Sequence, residues 1–366
     1  MKKIIKILAI EIFIVALIFS YFLFKNNSLN YKVAPNSLGE INNNEIINIE
    51  DKNKLYIYLE EALLNGETEV NLINRYLFKN PNEIFKILEE ISYNNPKVMY
   101  YKGAKYTYGK LELFYLNPKE YIIKHQKAVE KIKEEFLENH INNNMSDYEK
   151  VLKIHDFIIN NGEYDKRVLD KDKVPPESYS SYGILSLGVG VCESYAKSMK
   201  YLLDGSGINS LIVIGKSMGE NHAWNLVELD GEYYHIDSTW NDPISDNGED
   251  VLRYNFFNIN DEELSITHEW NREKYPEAKG KKYNYFIYND LIVIGKNQLE
   301  KQIKDVLLIG KTMYTAKILN FNNEDIEINE IIEELGHKYY KEIRLSGYYY
   351  SIDREKGIIS IKFFYN

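Results

Sequence analysis

Apolar residues recur every three or four positions in several stretches of the middle of this chain. Between Glu120 and Glu138, the residues Ile122, Val129, Ile132 and Phe136 keep that spacing and predict a helix. Ser146-Asp147-Tyr148-Glu149 reads as a capping box opening a second helix through Ile159, with Val151, Ile154 and Ile158 turned inward. Pro175-Pro176 marks a loop, and Ser181 to Leu187 predicts one or two helical turns. Ser194 to Asp204 is helical, with Tyr195, Met199, Leu202 and Leu203 on one side and Gly205-Ser206-Gly207 as its stop. The pattern then changes. Leu211 to Gly215 predicts a buried strand from its β-branched run. His222 to Leu229 and Glu232 to Thr239, joined by Asp230-Gly231, predict a hairpin with a tight primed turn.

The flanks have shorter patterns. Glu67 to Leu72 alternates like a strand, Asn82 to Ile91 reads as a short helix, and Val98 to Tyr108 and Leu111 to Leu116 predict two strands around Gly109. Near the other end, Asp325 to Asn329 alternates, Ile331 to Tyr340 reads as a helix, and Glu342 to Ile352 and Ile358 to Tyr365 predict paired strands. The two flanks are expected to be copies of one small α+β unit, with two independent hairpins as the alternative. Ile7 to Phe24 is almost wholly apolar, broken by Glu11 and preceded by Lys2, Lys3 and Lys6. It predicts one N-terminal transmembrane helix. With no small-residue cleavage site after it, an uncleaved signal anchor is favoured over a cleaved, secreted form. The lysines orient the rest outward, so the expected location is the cell membrane, single-pass, with an extracytoplasmic C-terminal domain. The expected organisation is an anchor over 1–25, a linker over 26–52, an α+β unit over 53–118, a core over 119–275 and a second α+β unit over 276–366.

Charge removes one class of partner. The formal net charge is −10, and no basic patch interleaved with aromatics is present. Nucleic acid is therefore not an expected partner. The chain is rich in tyrosine, with 32; compositional bias explains this as well as a binding surface does.

Cysteine usage is the sharper signal. Cys192 is the single cysteine, in "GVGVCESYAKSMKYLL". A chain facing outward keeps thiols mostly as disulfides, and this one has no partner within the chain. Cys192 is expected in the first turn of its helix, where unpaired N–H groups and the helix dipole favour a thiolate. A lone cysteine there also fits a small buried hydrophobe. The hairpin separates the two. If Asp230 and Gly231 are the central turn residues, Leu229 opposes Glu232 and Trp224 opposes Asp237. His222 then shares a face with Asp237 as its diagonal neighbour, about 7 Å or somewhat less between Cβ atoms. A carboxylate there fixes one imidazole nitrogen and leaves the other for a thiol. His235 lies on the same face nearer the turn, as a rival base or a supporting residue. His155 reads as a satisfied core or boundary histidine, His125, His140 and His337 as surface residues, and His268 has no assignment. No His/Cys spacing suits zinc.

The stretches "GVGVCESYAKSMKYLLDGSGI", "ENHAWNLVELDGEYYHIDSTWNDP" and "RYNFFNINDEEL" resemble the transglutaminase-like superfamily, in its bacterial cysteine-protease branch. The resemblance covers about Ser146 to Trp270. It implies an α+β, papain-like core in which a nucleophile helix packs on an antiparallel sheet. It makes Cys192 the nucleophile, His222 the base and Asp237 the residue that orients it, and gives His235 a supporting role. Asn241 stands where relatives commonly have an acid. Tyr182 and Ser186 are candidates for a side-chain donor to the oxyanion, beside the Cys192 N–H, and Trp224 for shielding the Cys–His pair.

The expectation is a cysteine acyl-transfer enzyme working through a thioester, with no metal or organic cofactor and a peptide or protein substrate, the cell wall being one place to find it. Hydrolysis, as a peptidase or amidase, is favoured. Cross-linking transfer from glutamine to an amine is the alternative, because the large cross-linking relatives carry additional β-domains. A surface binding module that keeps the fold without turnover is the alternative from another class.

Overall fold

The computed structural model describes residues 52–72, 82–107, 109–169, 174–242, 252–319, 327–354 and 356–366. The predicted span over 7–24 lies outside them, as does all of the predicted linker except Lys52, which opens a helix. Among the described residues no helix is long and apolar enough to cross a membrane.

A five-stranded antiparallel sheet forms the centre. Its strands are β6 (Ser210–Ser217), β7 (Glu220–Leu229), β8 (Glu232–Ile236), β9 (Phe257–Ile259) and β10 (His268–Trp270), in the order β10-β6-β7-β8-β9. Asp230 and Gly231 both take positive φ, 52° and 80°, and Leu229 pairs with Glu232. This is the primed turn that the Asp-Gly pair favours. Strand β7 is buried on both faces over Ala223 to Val227. One face packs on the helices α4 (Asp147–Asn161) and α5 (Cys192–Gly205). There, Tyr195, Met199, Leu202 and Leu203 meet Val227, Leu229, Tyr234 and Ile236. The other face carries Trp224 and Leu226 against Val213, Phe256, Ile259 and Leu264. The capping box is present: Glu149 N–H donates to Ser146 Oγ, and the Glu149 carboxylate accepts from Ser146 N–H. Ahead of α4 runs α3 (Lys119–His140), with Ile122, Val129 and Phe136 buried, and between α4 and α5 the short strands β4 (Glu163–Tyr164) and β5 (Val189–Gly190) pair parallel.

Before the core come α1 (Lys52–Leu64), β1 (Glu69–Asn71), α2 (Asn82–Asn94), β2 (Tyr101–Thr107) and β3 (Lys110–Tyr115), with strand order β1-β3-β2. Within the core, α6 (Asp261–Leu264) joins β9 to β10, and after it come α7 (Tyr285–Tyr288), β11 (Ile292–Ile294), α8 (Lys296–Leu308), β12 (Met313–Leu319), α9 (Ile328–Lys338), β13 (Leu345–Asp353) and β14 (Ile358–Tyr365). The sheet order here is β11-β12-β14-β13.

The elements α1-β1-α2-β2-β3 and α8-β12-α9-β13-β14 have one topology. In each, the first strand and the middle strand pair antiparallel with the last. The likeness extends to detail. A register shift falls at Tyr101/Gly103 in one and at Leu345/Gly347 in the other. Gly66 and Gly310 follow the first helices with φ of 60° and 67°. Tyr115 Oη donates to Glu67 O at 3.0 Å, and Tyr365 Oη to Lys311 O at 2.8 Å. "KNKLYIYLEEALLNGET" from Lys52 and "KNQLEKQIKDVLLIGKT" from Lys296 share Lys, Asn, three Leu, Gly and Thr in register.

The repeat is framed differently from the sequence expectation. The predicted strand over 325–329 is not the copy of β1; Asp325 and Ile326 lie outside the described residues, and Ile328 begins α9. The buried set Ile328, Ile331, Ile332 and Leu335 has helical spacing, and two alternating isoleucines were too short a window to separate the periods. The equivalent strand is β12, upstream.

Candidate active site

Cys192 is the first residue of α5 and is half-buried. The segment before it is braced on three sides. Glu163 N–H donates to Gly188 O, Asp165 N–H to Gly190 O, and Val191 N–H to Ser178 O. Asp165 is itself held by a two-point contact from Arg167 and by Ser178 Oγ at 2.6 Å. Gly188 takes φ +68°, closing the turn Gly183–Leu187 in the left-handed region. Gly190 has another reason to be glycine. A Cβ there would lie 2.5 Å from Ser194, whose Oγ donates to Ser180 O and accepts from Ile184 N–H. The space beside Gly190 is filled by the protein's own side chain rather than left for a ligand. Gly190→Ala is expected to destabilise the fold by about 1–3 kcal/mol, as overpacking does, measured by urea denaturation.

His222 and Asp237 meet as the hairpin register requires. His222 Nε2 lies 2.7 Å from Asp237 Oδ2. The remaining nitrogen, Nδ1, is free of Asp237, and Cys192 lies close enough to help hold the ring's proton. Asp237 is fully enclosed; its Oδ1 accepts from Trp240 N–H at 3.1 Å and its Oδ2 accepts a second imidazole, His268 Nε2, at 2.9 Å. Burial works against the charged forms of both partners. Their mutual attraction outweighs it: His222 is pushed up to about 10, and Asp237 is held well below the ordinary carboxylate range. Among the described residues, His222, Asp237 and His268 bring their ligand-type atoms within 4.8 Å of one another, as a metal site requires. Two of the separations, 2.7 and 2.9 Å, are hydrogen bonds. Ligand atoms around a tetrahedral zinc lie about 3.3 Å apart, so the three form a hydrogen-bond network instead.

Trp224 is 1% exposed, with its ring stacked 6.0 Å from the His222 ring at 23°. It shields that side of the imidazole. Its Nε1 donates to His235 Nδ1 at 3.1 Å, and His235 Nε2 meets Asp261 Oδ1 at 2.8 Å. His235 therefore holds Trp224 and is no rival base. Gly215 makes room for the arrangement: a Cβ there would lie 2.7 Å from the Trp224 ring and 2.3 Å from Glu269 O.

Tyr182 is not brought to the site. Its ring stacks on His125, centroids 3.7 Å apart, and serves packing beneath α3. His125 is buried with its Nδ1 2.6 Å from Tyr100 Oη, contrary to the surface position expected from its charged neighbours. Ser186 is exposed in the turn before Gly188. Cys192 N–H, at a helix start whose N-cap Val191 offers no side-chain acceptor, remains the candidate oxyanion donor. His155 is buried and satisfied by Asn241 Nδ2 at 2.9 Å and Asp156 at 3.1 Å. Asn241 also accepts from Phe256 N–H, so it ties α4 to the strand beside Asp237.

Three tyrosines that the chain pattern did not single out feel the charge of the nucleophile: Tyr93, Tyr164 and Tyr179. Burial raises each phenol, and each interacts electrostatically with Cys192. Tyr93 comes from α2, in the N-terminal unit. From the other side comes Lys356, in the β13–β14 turn. It lies over the Phe256 ring, and burial lowers it to about 8 despite Asp353 and Asp237. Proximity across more than 90 residues, invisible to local periodicity, brings Tyr93 and Lys356 in.

Residues 134–238 match the family model for the transglutaminase-like superfamily. No curated protein matches the chain. Among solved structures, a candidate cysteine protease from Cytophaga hutchinsonii is 19% identical with TM-score 0.26, over 34% of this chain and 40% of that one. A TGase is 15% identical with TM-score 0.29, over 56% of this chain and 50% of that one. An arylamine N-acetyltransferase from Bacillus cereus, described with a Cys-His-Glu triad, is 16% identical with TM-score 0.23, over 30% and 48%. The chain thus spans about half or less of the length of each. The matched segment contains Cys192, His222 and Asp237 together, so all three candidate residues fall within the part of the chain that resembles the transglutaminase-like superfamily.

Proposed function

We propose that this chain is an outward-facing, membrane-anchored cysteine enzyme that cleaves amide bonds in peptides or proteins through a thioester on Cys192. One observation carries the reading: His222 is held by Asp237 on Nε2 at 2.7 Å, leaving Nδ1 free, and the ring interacts with Cys192 at the start of α5. Cys192 Sγ attacks the carbonyl carbon, and the oxyanion is received by the Cys192 N–H. The C–N bond breaks as His222 Nδ1 gives its proton to the leaving amine. Water then attacks the thioester, returning a proton to His222, and the C–S bond breaks to release acid and free thiolate. An amine in place of water would make the same thioester a transfer intermediate. The tyrosines around Cys192 support a peptide substrate, since aromatic walls with hydroxyls suit backbone and side chain alike. The test is intact-protein mass spectrometry after exposure to p-nitrophenyl acetate and to a peptide library. The expected result is one acyl group on Cys192, absent in Cys192→Ala, and new peptide ends. A wild-type protein that takes up no acyl group from the ester and cleaves no peptide overturns the proposal.

A further inference from the structure

His268 opens β10, at the edge of the sheet beside β6, where it pairs with Ser217. Its ring is closed in by Trp224, Phe256 and Trp240, with centroids at 5.0, 5.6 and 6.2 Å, and its side chain is inaccessible. It cannot touch a substrate. What it does touch is Asp237 Oδ2, at 2.9 Å, the oxygen that also receives His222 at 2.7 Å. An ionised carboxylate only accepts, so both imidazoles carry a proton on Nε2. Thr267 Oγ1, 2.8 Å from His268 Nδ1, offers a hydroxyl proton to the other nitrogen.

We infer that His268 is a positioning residue: by sharing Asp237 Oδ2 with His222, it fixes that oxygen on the His222 side of the carboxylate and keeps the carboxylate ionised. Its catalytic meaning rests on the thioester reading above. A carboxylate with no water around it depends on its donors for its charge. Asp237 has three: the Trp240 N–H and the two imidazoles. The other ionisable groups facing it are Lys356, from the β13–β14 turn, and Tyr164, after α4. Neither replaces a lost imidazole donor in the arrangement seen.

The experiment compares wild type, His268→Phe, which removes the donor, and His268→Gln, whose amide N–H can reach the same oxygen. Two quantities are followed on acidification of the full chain: the downfield proton resonance of His222 Nε2–H by NMR, and the alkylation rate of Cys192. In His268→Phe both acid limits are expected to rise by about one pH unit, the effect of one lost hydrogen bond to a charged group. His268→Gln is expected to stay near wild type. Should the Phe variant not fold, His268→Asn, with a donor too short to reach, takes its place with the same expectation. Equal acid limits in all variants, with only the melting temperature lowered, would make His268 a packing residue and overturn the inference. If wild-type Cys192 alkylates no faster than a free thiol, the thioester reading fails, while the NMR limit still decides the role of His268.

Discussion

His222→Ala is expected to slow alkylation of Cys192 at pH 6 by at least about tenfold. An ordinary thiol, with pKa about 8.5, is only about 0.3% thiolate at that pH. A thiol paired with an imidazolium is largely thiolate, and its lower intrinsic nucleophilicity offsets only part of that gain. The sign of the pH dependence follows from the pair. His222 is raised to about 10, so its share of the stability is complete below the unfolded value near 6.5 and is lost as pH climbs through about 10. Asp237 is depressed, so its share is present above the ordinary carboxylate range and is lost as pH falls through its lowered folded value. Between those limits the His222-dependent alkylation rate is expected to be flat in pH. A rate that instead climbs with a midpoint near 8.5, and that His222→Ala leaves unchanged, identifies Cys192 as a packing thiol.

Trp224→Ala is expected to lower stability by about 3–5 kcal/mol, the range for removing a buried large aromatic. The ring is 1% exposed and packs edge-on against Trp270 and His268, with centroids 5.8 and 5.0 Å away. The loss also strips His235 of its indole donor and opens one face of the His222 imidazole. Stability and reactivity should therefore fall together, whereas Trp224→Phe, which keeps most of the volume but not the N–H, should recover much of the first and less of the second. Urea unfolding and Cys192 alkylation on the same samples separate the two. A Trp224→Ala protein as stable as wild type would mean that the aromatic cluster does not hold the sheet to β10.

The central hairpin was legible because one local signal set the whole register. Asp230-Gly231 chose the turn, the turn fixed Leu229 opposite Glu232, and period two then placed His222 and Asp237 on one face. The helix under Cys192 was equally local, read from its glycines and from Tyr195, Met199, Leu202 and Leu203. His268 could not be read in the same way. It sits in a strand of three residues, too short to show a period, and reaches Asp237 only because β10 folds back along β6. His235 and Tyr182 carried the right chemistry but were claimed by Trp224 and His125, and which neighbour claims a side chain is settled by packing between distant segments. Helix α1 was missed because its mixed Tyr, Lys and Glu content gives a weak stripe, though Leu55, Leu59 and Leu63 are buried at helical spacing.

The paired flanking units divide their surfaces between two duties. Toward their own sheets they show matching residues, such as Tyr115 and Tyr365, each closing the same carbonyl contact. Toward the core they differ: one presents Tyr93 near Cys192, and the other sends Lys356 to the far side of Asp237. A duplicated scaffold has thus acquired two addresses. A chimera carrying the C-terminal unit in both places would repeat the topology and still leave Cys192 without the influence of Tyr93, because the two copies share a scaffold and not the residues they turn toward the core.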